Sequence, residues 1–224
     1  MTERPGTEPT SERPRLRADA AENRRRILDA ARALYRERGA DVPLDVIARR
    51  AGVGNATLYR RFPTADALLA AVLEERLAEL VSVTEEALLI PDPWDGFCWY
   101  VQRVGEMQAT DRSLADLRTM SASAAPGVGM QWSLFTTALV DLIHRAQAGG
   151  QLRADLQVED VLVLMMANAG VTQSAGEAGP AIMRRFLSLV LDGCRARGAE
   201  SLPNMPAPDQ VFRAARDSPS SAQG

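Results

Sequence analysis

The stretch from Leu44 to Phe62 reads LDVIARRAGVGNATLYRRF. Leu44, Ile47 and Ala51 recur at three- and four-residue spacing, so they share one face of a short helix. Leu58 and Phe62 do the same on a second segment, and Ala51-Gly52-Val53-Gly54 joins the two. A glycine there suits the left-handed conformation that commonly ends a helix. Two helices meeting across a short glycine-containing turn predict a helix-turn-helix, whose second helix enters the major groove of DNA. That second helix carries Asn55, Thr57, Tyr59, Arg60 and Arg61, side chains suited to phosphates and base edges.

The charge distribution agrees with that expectation. The chain has 224 residues and a net charge of −3, which alone would argue against a nucleic-acid partner. Yet residues 1–63 hold 14 arginines against 9 acids, and residues 64–224 hold 12 against 20. A basic N-terminal third on an acidic body predicts one module facing DNA and another with a different task. Every basic residue is arginine, which holds phosphate or guanine in bidentate fashion.

Working outward, residues 1–18 contain Pro5, Pro9 and Pro14 among polar residues and read as a disordered basic arm. A first helix follows, from about Ala20 to Arg38. Arg24, Arg25 and Arg26 lie near its start, where phosphate beside exposed amides would favour them, Arg24 and Arg25 being the candidate DNA contacts. The second helix begins near Leu44 and the third near Asn55. Pro63 stops the third, and Thr64 is placed to cap a long fourth helix from Asp66 to about Leu88. After Pro91-Asp92-Pro93 come helices at about 94–109, 111–121, 132–146, Val158–Gln173 and Ala181–Arg197, the last holding Arg195 and Arg197 in its final turn. Gly127-Val128-Gly129 reads as a loop. No segment alternates as a strand. The fold class is all-α, with about nine helices.

The expected domains are a helix-turn-helix unit at 19–65, a helical body at 66–200, and a mostly disordered tail at 201–224. The eighth predicted helix, Val158–Gln173, is apolar over most of its circumference. With the ninth it is the candidate homodimer surface, since a helix apolar all round needs burial on several sides. Aromatic and methionine side chains concentrate between 94 and 166. They nominate a pocket for a small apolar or aromatic molecule, lined by Phe97, Tyr100, Val104, Met107, Met120, Trp132, Phe135, Met165, Met166 and Asn168.

Several classes are argued against. No triad spacing, metal cluster, P-loop or dinucleotide fingerprint appears, so neither catalysis nor a cofactor or metal is expected. Cys98 and Cys194 read as reduced core thiols. No apolar run reaches the ~20 residues of a membrane span, and no secretory signal opens the chain, so a cytoplasmic location is expected.

The stretch Ile47–Leu69, IARRAGVGNATLYRRFPTADALL, resembles the TetR/AcrR family of transcriptional regulators in its Ala-Gly-Val turn, Thr-Leu-Tyr segment and aromatic-proline junction. The resemblance implies a body that binds a ligand and dimerises. It also implies repression at a palindromic operator on double-stranded DNA, relieved by a small-molecule effector. Ligand-independent DNA binding by an architectural dimer and transcriptional activation are the alternatives. By position, Thr57 and Tyr59 match phosphate contacts, Asn55 and Arg60 match base-facing positions, and Arg61 suits either. Gly54 replaces the serine usual before the third helix, which implies a weaker cap. Ala65 stands where a basic residue usually grips phosphate.

Overall fold

A computed structural model describes residues 12–38, 41–110, 125–174, 178–198, 200–204 and 206. Among them are eight helices: α1 (Glu12–Arg38), α2 (Leu44–Ala51), α3 (Asn55–Arg61), α4 (Ala65–Leu88), α5 (Pro93–Thr110), α6 (Pro126–Ala148), α7 (Val158–Ser174) and α8 (Gly179–Gly193). The all-α reading holds. The expected helix at 111–121, the candidate Met120 and most of the expected tail lie outside the described residues.

The chain divides into two compact units, residues 1–72 and 73–224. In the first, Ile27, Leu28, Ala31 and Leu34 of α1 pack with Leu44, Ile47 and Ala48 of α2 and with Leu58 and Phe62. Each large aliphatic side chain so buried contributes about 1.5–3 kcal/mol. Leu68, Ala71 and Val72 from the first two turns of α4 complete this core, which is why the boundary falls inside α4.

Three helix limits differ from the sequence reading. Helix α1 starts at Glu12, inside the segment read as an arm. Pro14 sits in its first turn, where a missing N–H removes no helical bond. Helix α6 starts at Pro126, so Gly127-Val128-Gly129 is its first turn and not a loop. Proline at a first helical position is pre-set for the helix, and this outweighs the two glycines. Gly127 also faces the Glu74 carboxylate more closely than a Cβ would allow. Finally, α8 ends at Gly193, which leaves Arg195 and Arg197 beyond the helix. The chain there runs antiparallel to 151–153: Arg153 N–H donates to the Cys194 carbonyl at 3.0 Å and Ala196 N–H to that of Gln151 at 2.9 Å. Glycine's poor helix propensity and those two bonds end the helix early.

In the second unit α5 touches α6, α7 and α8. Its Phe97 and Tyr100 are fully buried, and Phe135 of α6 is too. Gly105 lets α8 approach, since a Cβ there would stand 2.5 Å from Leu187 Cδ1. No described helix is long and apolar enough to cross a membrane.

Candidate nucleic-acid interface and effector cavity

The helix-turn-helix is built by its punctuation. Pro43 precedes α2 in an extended conformation, and Gly52 ends it in the left-handed region at φ 64° and ψ 35°. Gly54, also extended, precedes α3 and provides no side-chain cap; its carbonyl accepts from Thr57 N–H at 2.9 Å. This is the weaker start that a glycine in place of serine implies. The end of the motif is firmer, because Thr64 Oγ1 accepts from Ala67 N–H at 3.1 Å at the start of α4.

Leu58 is wholly buried and pins α3 to the core. Asn55, Tyr59, Arg60 and Arg61 are exposed, Tyr59 at 48%, and Thr57 is half-buried. Among the described residues, Arg60 and Arg61 form no ion pair, while their neighbours on α2 do: Arg49 meets Asp45 at 3.2 Å and Arg50 meets Glu37 at 3.5 Å. The cations on α3 therefore keep their donors for another molecule. A short helix, apolar inside and carrying uncommitted donors outside, can enter a groove and bond phosphate or base edges.

The α1 arginines are placed differently from one another. Arg25 is exposed and holds Glu22 through two bonds of 3.1 and 2.7 Å. That bond raises the Arg25 pKa and lowers that of Glu22. Arg24 lies over the Phe62 ring, 5.3 Å from its centroid. Arg26 donates from Nη2 to the Gly52 carbonyl at 2.8 Å. A run of three arginines thus makes three different contacts.

In the body the expected pocket residues divide. Phe97, Tyr100, Val104, Phe135, Met165 and Asn168 are buried, whereas Met107, Trp132 and Met166 are half-buried. Gln108 donates to the Met165 carbonyl at 3.1 Å, and Asn168 donates to Gln108 Oε1 at 2.8 Å. Asn168 Oδ1 is buried without a partner. Burial pushes the Tyr100 phenol far above its ordinary value. These side chains fill the seams of α5 against α6 and α7.

A cavity of about 290 Å³ lies elsewhere in the unit, and Phe97 alone of the expected set lines it. Leu156, Val161, Leu164, Val190, Cys194 and Leu202 supply most of the wall. Arg153 is at its edge, already committed to both Asp155 carboxylate oxygens and to the carbonyls of Gly193 and Glu200. The cavity wall is mostly apolar and holds two charged groups, the engaged Arg153 and Asp160, whose Oδ2 accepts from Gln157 N–H at 2.8 Å. Sequence spacing offers Val161 and Leu164 as a pair, but no signal joins them to Val190 and Leu202. Cys98 and Cys194 are free thiols. Burial pushes Cys98 up to about 11 and raises Cys194, so neither is a ready nucleophile at neutral pH.

An N-terminal helix-turn-helix unit joined through one long helix to a helical body is the architecture of a DNA-binding regulator. Comparison with known proteins agrees. Residues 27–72 match the model of bacterial regulatory proteins of the tetR family, and residues 92–196 match the C-terminal domain of SbtR-like transcriptional regulators. The HTH-type transcriptional regulator AqdR of Rhodococcus erythropolis is 27% identical over 203 residues, spanning 84% of this chain and 92% of that relative. A TetR transcription regulatory protein from Mycobacterium vanbaalenii is 33% identical, with a TM-score of 0.56 over 80% of this chain and 99% of that one. The TetR regulator SCO0520 of Streptomyces coelicolor is also 33% identical, with a TM-score of 0.54 over 78% and 99%. The chain belongs to the TetR family of DNA-binding transcriptional regulators.

Proposed function

We propose that the chain is a repressor that binds a palindromic operator as a homodimer and leaves it when a small apolar molecule binds the body. The observation that carries the DNA half is the outward face of α3: exposed Asn55, Tyr59, Arg60 and Arg61, with both arginines lacking an ion pair among the described residues. In this reading Asn55 and Arg60 meet base edges, Thr57 and Tyr59 meet phosphates, and Arg61 serves either. Arg25 adds a phosphate contact, because an exposed bridge such as its pair with Glu22 is cheap to exchange.

A palindrome requires two recognition helices about 34 Å apart, or a multiple of that, and hence two chains. Support for the dimer surface comes from α7 and α8, which expose Val163, Ile182 and Leu189 at 41, 45 and 64%. Small Ala167 and Gly170, also exposed, would allow helices to approach closely. For the effector, a mostly apolar cavity of about 290 Å³, whose Arg153 is engaged by Asp155 and whose Asp160 accepts from Gln157 N–H, suits a small uncharged molecule. Helix α4, shared by both units, is the covalent path between the two events. A coupling of about 1–3 kcal/mol would weaken operator binding roughly 5–150-fold.

Selection of bound duplexes from a random pool tests this, with Arg60→Ala and Tyr59→Phe as controls. A palindromic site should emerge, and its preference should relax at one position with Arg60→Ala. Sequence-blind binding by the unaltered protein would refute the DNA reading. Filling the cavity with Leu164→Phe should leave operator binding intact and abolish release by any compound that raises the melting temperature of the unaltered protein.

A further inference from the structure

We propose that Arg24 and Arg26 are positioning residues for the recognition helix rather than ligands of phosphate, an inference that rests on α3 reading DNA. The argument begins with what α3 lacks. It has seven residues, a single fully buried side chain in Leu58, and no side-chain cap at its start. A helix this short is marginal alone, so its direction must be set by its surroundings.

Two arginines of α1 supply that frame, one at each end. Before α3, the backbone turns at Gly52, whose own N–H reaches back to the Ala48 and Arg49 carbonyls to close α2. The Gly52 carbonyl is the group left over, and Arg26 Nη2 bonds it at 2.8 Å across 26 residues of sequence. The fit is close on both sides, since a Cβ on Gly52 would stand 2.5 Å from that same nitrogen. After α3, Phe62 occupies the C-cap position with its ring buried, and the Arg24 guanidinium covers it at 5.3 Å. Turn and cap are thereby tied to α1 by guanidinium contacts, one by a hydrogen bond to a carbonyl and one by attraction to a ring face.

This arrangement predicts a distinctive defect. A phosphate ligand contributes equally to every duplex and to the salt dependence of binding. A positioning residue acts only where Asn55 and Arg60 must meet particular base edges, so its loss lowers discrimination and spares non-specific binding. Lysine separates the two roles further. It keeps the charge that a phosphate requires but ends about one bond short of the guanidinium nitrogens, so it cannot reproduce the bond to Gly52 in place.

The test uses the full chain, a selected operator and a scrambled duplex of equal length, titrated across a salt series. Arg26→Met should lower operator affinity roughly tenfold, the scale of one base contact, while changing scrambled-duplex affinity less than about twofold. Its salt slope should match that of the unaltered protein. Arg26→Lys should show the same selective loss in smaller degree, and Arg24→Gln a loss of about two- to fivefold. Thermal melts report whether each variant is folded; if Arg26→Met is not, the charge-keeping Arg26→Lys decides. Equal losses on both duplexes with the slope reduced by about one unit would make these arginines phosphate ligands and overturn the proposal. Unchanged binding to both duplexes would overturn it as well. Arg60→Ala serves as the separate control: if it fails to relax operator preference, the reading of α3 itself falls, whatever the α1 variants do.

Discussion

The two units put one residue type to different uses. The chain has no lysine, so arginine does all the work of a basic side chain. In the body two guanidinium groups, those of Arg145 and Arg153, are consumed largely by the backbone, while Arg184 and Arg185 stay exposed. Arg145 donates to the carbonyls of Leu88, Ile90 and Pro91 at 2.7, 2.7 and 2.9 Å, closing the bend between α4 and α5. Arg153 is 9% exposed and fully engaged, and Arg195 stacks on Trp94 at 4.6 Å. In the N-terminal unit the contacts are fewer per guanidinium and more exposed, and Arg60 and Arg61 make no ion pair among the described residues. The same five donors close a loop where they are saturated and offer a binding surface where they are not.

The strongest challenge to this contrast lies in the apolar anchor of the N-terminal unit. Leu58→Ala should cost about 2–5 kcal/mol, read from denaturant unfolding, and should remove operator binding with it. A loss below about 1 kcal/mol would mean that polar contacts, not Leu58, hold α3. Arg145→Met should come next, at about 2–3 kcal/mol, because three carbonyls lose a charged donor together. Arg25→Ala, by comparison, should leave the melting temperature unchanged. Equal effects from those two substitutions would erase the distinction between saturated and exposed arginines. Gly105→Ala should cost about 1–3 kcal/mol by forcing a Cβ against Leu187, and calorimetry should assign that loss to the body.

The smallest effect concerns acid. Arg153 holds the Asp155 carboxyl below its ordinary range, helped by a bond from Leu202 N–H. Folding therefore favours the deprotonated form. Its contribution is complete above the unfolded value of about 4 and is lost as pH falls toward the lower folded value. Asp155→Asn should lower the melting temperature modestly at pH 7 and flatten its fall below pH 4. A melting curve with the same acid dependence in both proteins would sever this link.

How far the sequence reaches can be seen residue by residue. Helices α2 and α3 are legible because Pro43, Gly52, Gly54 and Pro63 mark their limits locally. The cap from Thr64 is legible for the same reason. The start of α6 is less so, since proline and two glycines usually mark a break and here Pro126 opens the helix. The end of α8 depends on bonds to residues 151–153, some forty positions away in sequence, which no local pattern reports. The cavity is hidden more deeply still. Aromatic and methionine content identifies what is greasy, but Tyr100, Phe135 and Met165 are consumed in packing, while Leu156, Val190 and Leu202 surround the space. Likewise the RRR run at 24–26 looks like one basic patch until the fold gives each arginine a different neighbour.

The bare start of α3 has a consequence for retargeting. Nothing lies within 4 Å of where a side chain on Gly54 would begin, and Asn55 and Arg60, which would read an operator, are exposed while Leu58 is wholly buried. In the proposed reading, address and frame are carried by separate residues: the frame by α1, Leu58 and Phe62, the address by Asn55 and Arg60. Exchanging the address leaves every one of those anchoring contacts in place. The motif is a mount into which a new DNA specificity can be written without rebuilding the helix that carries it.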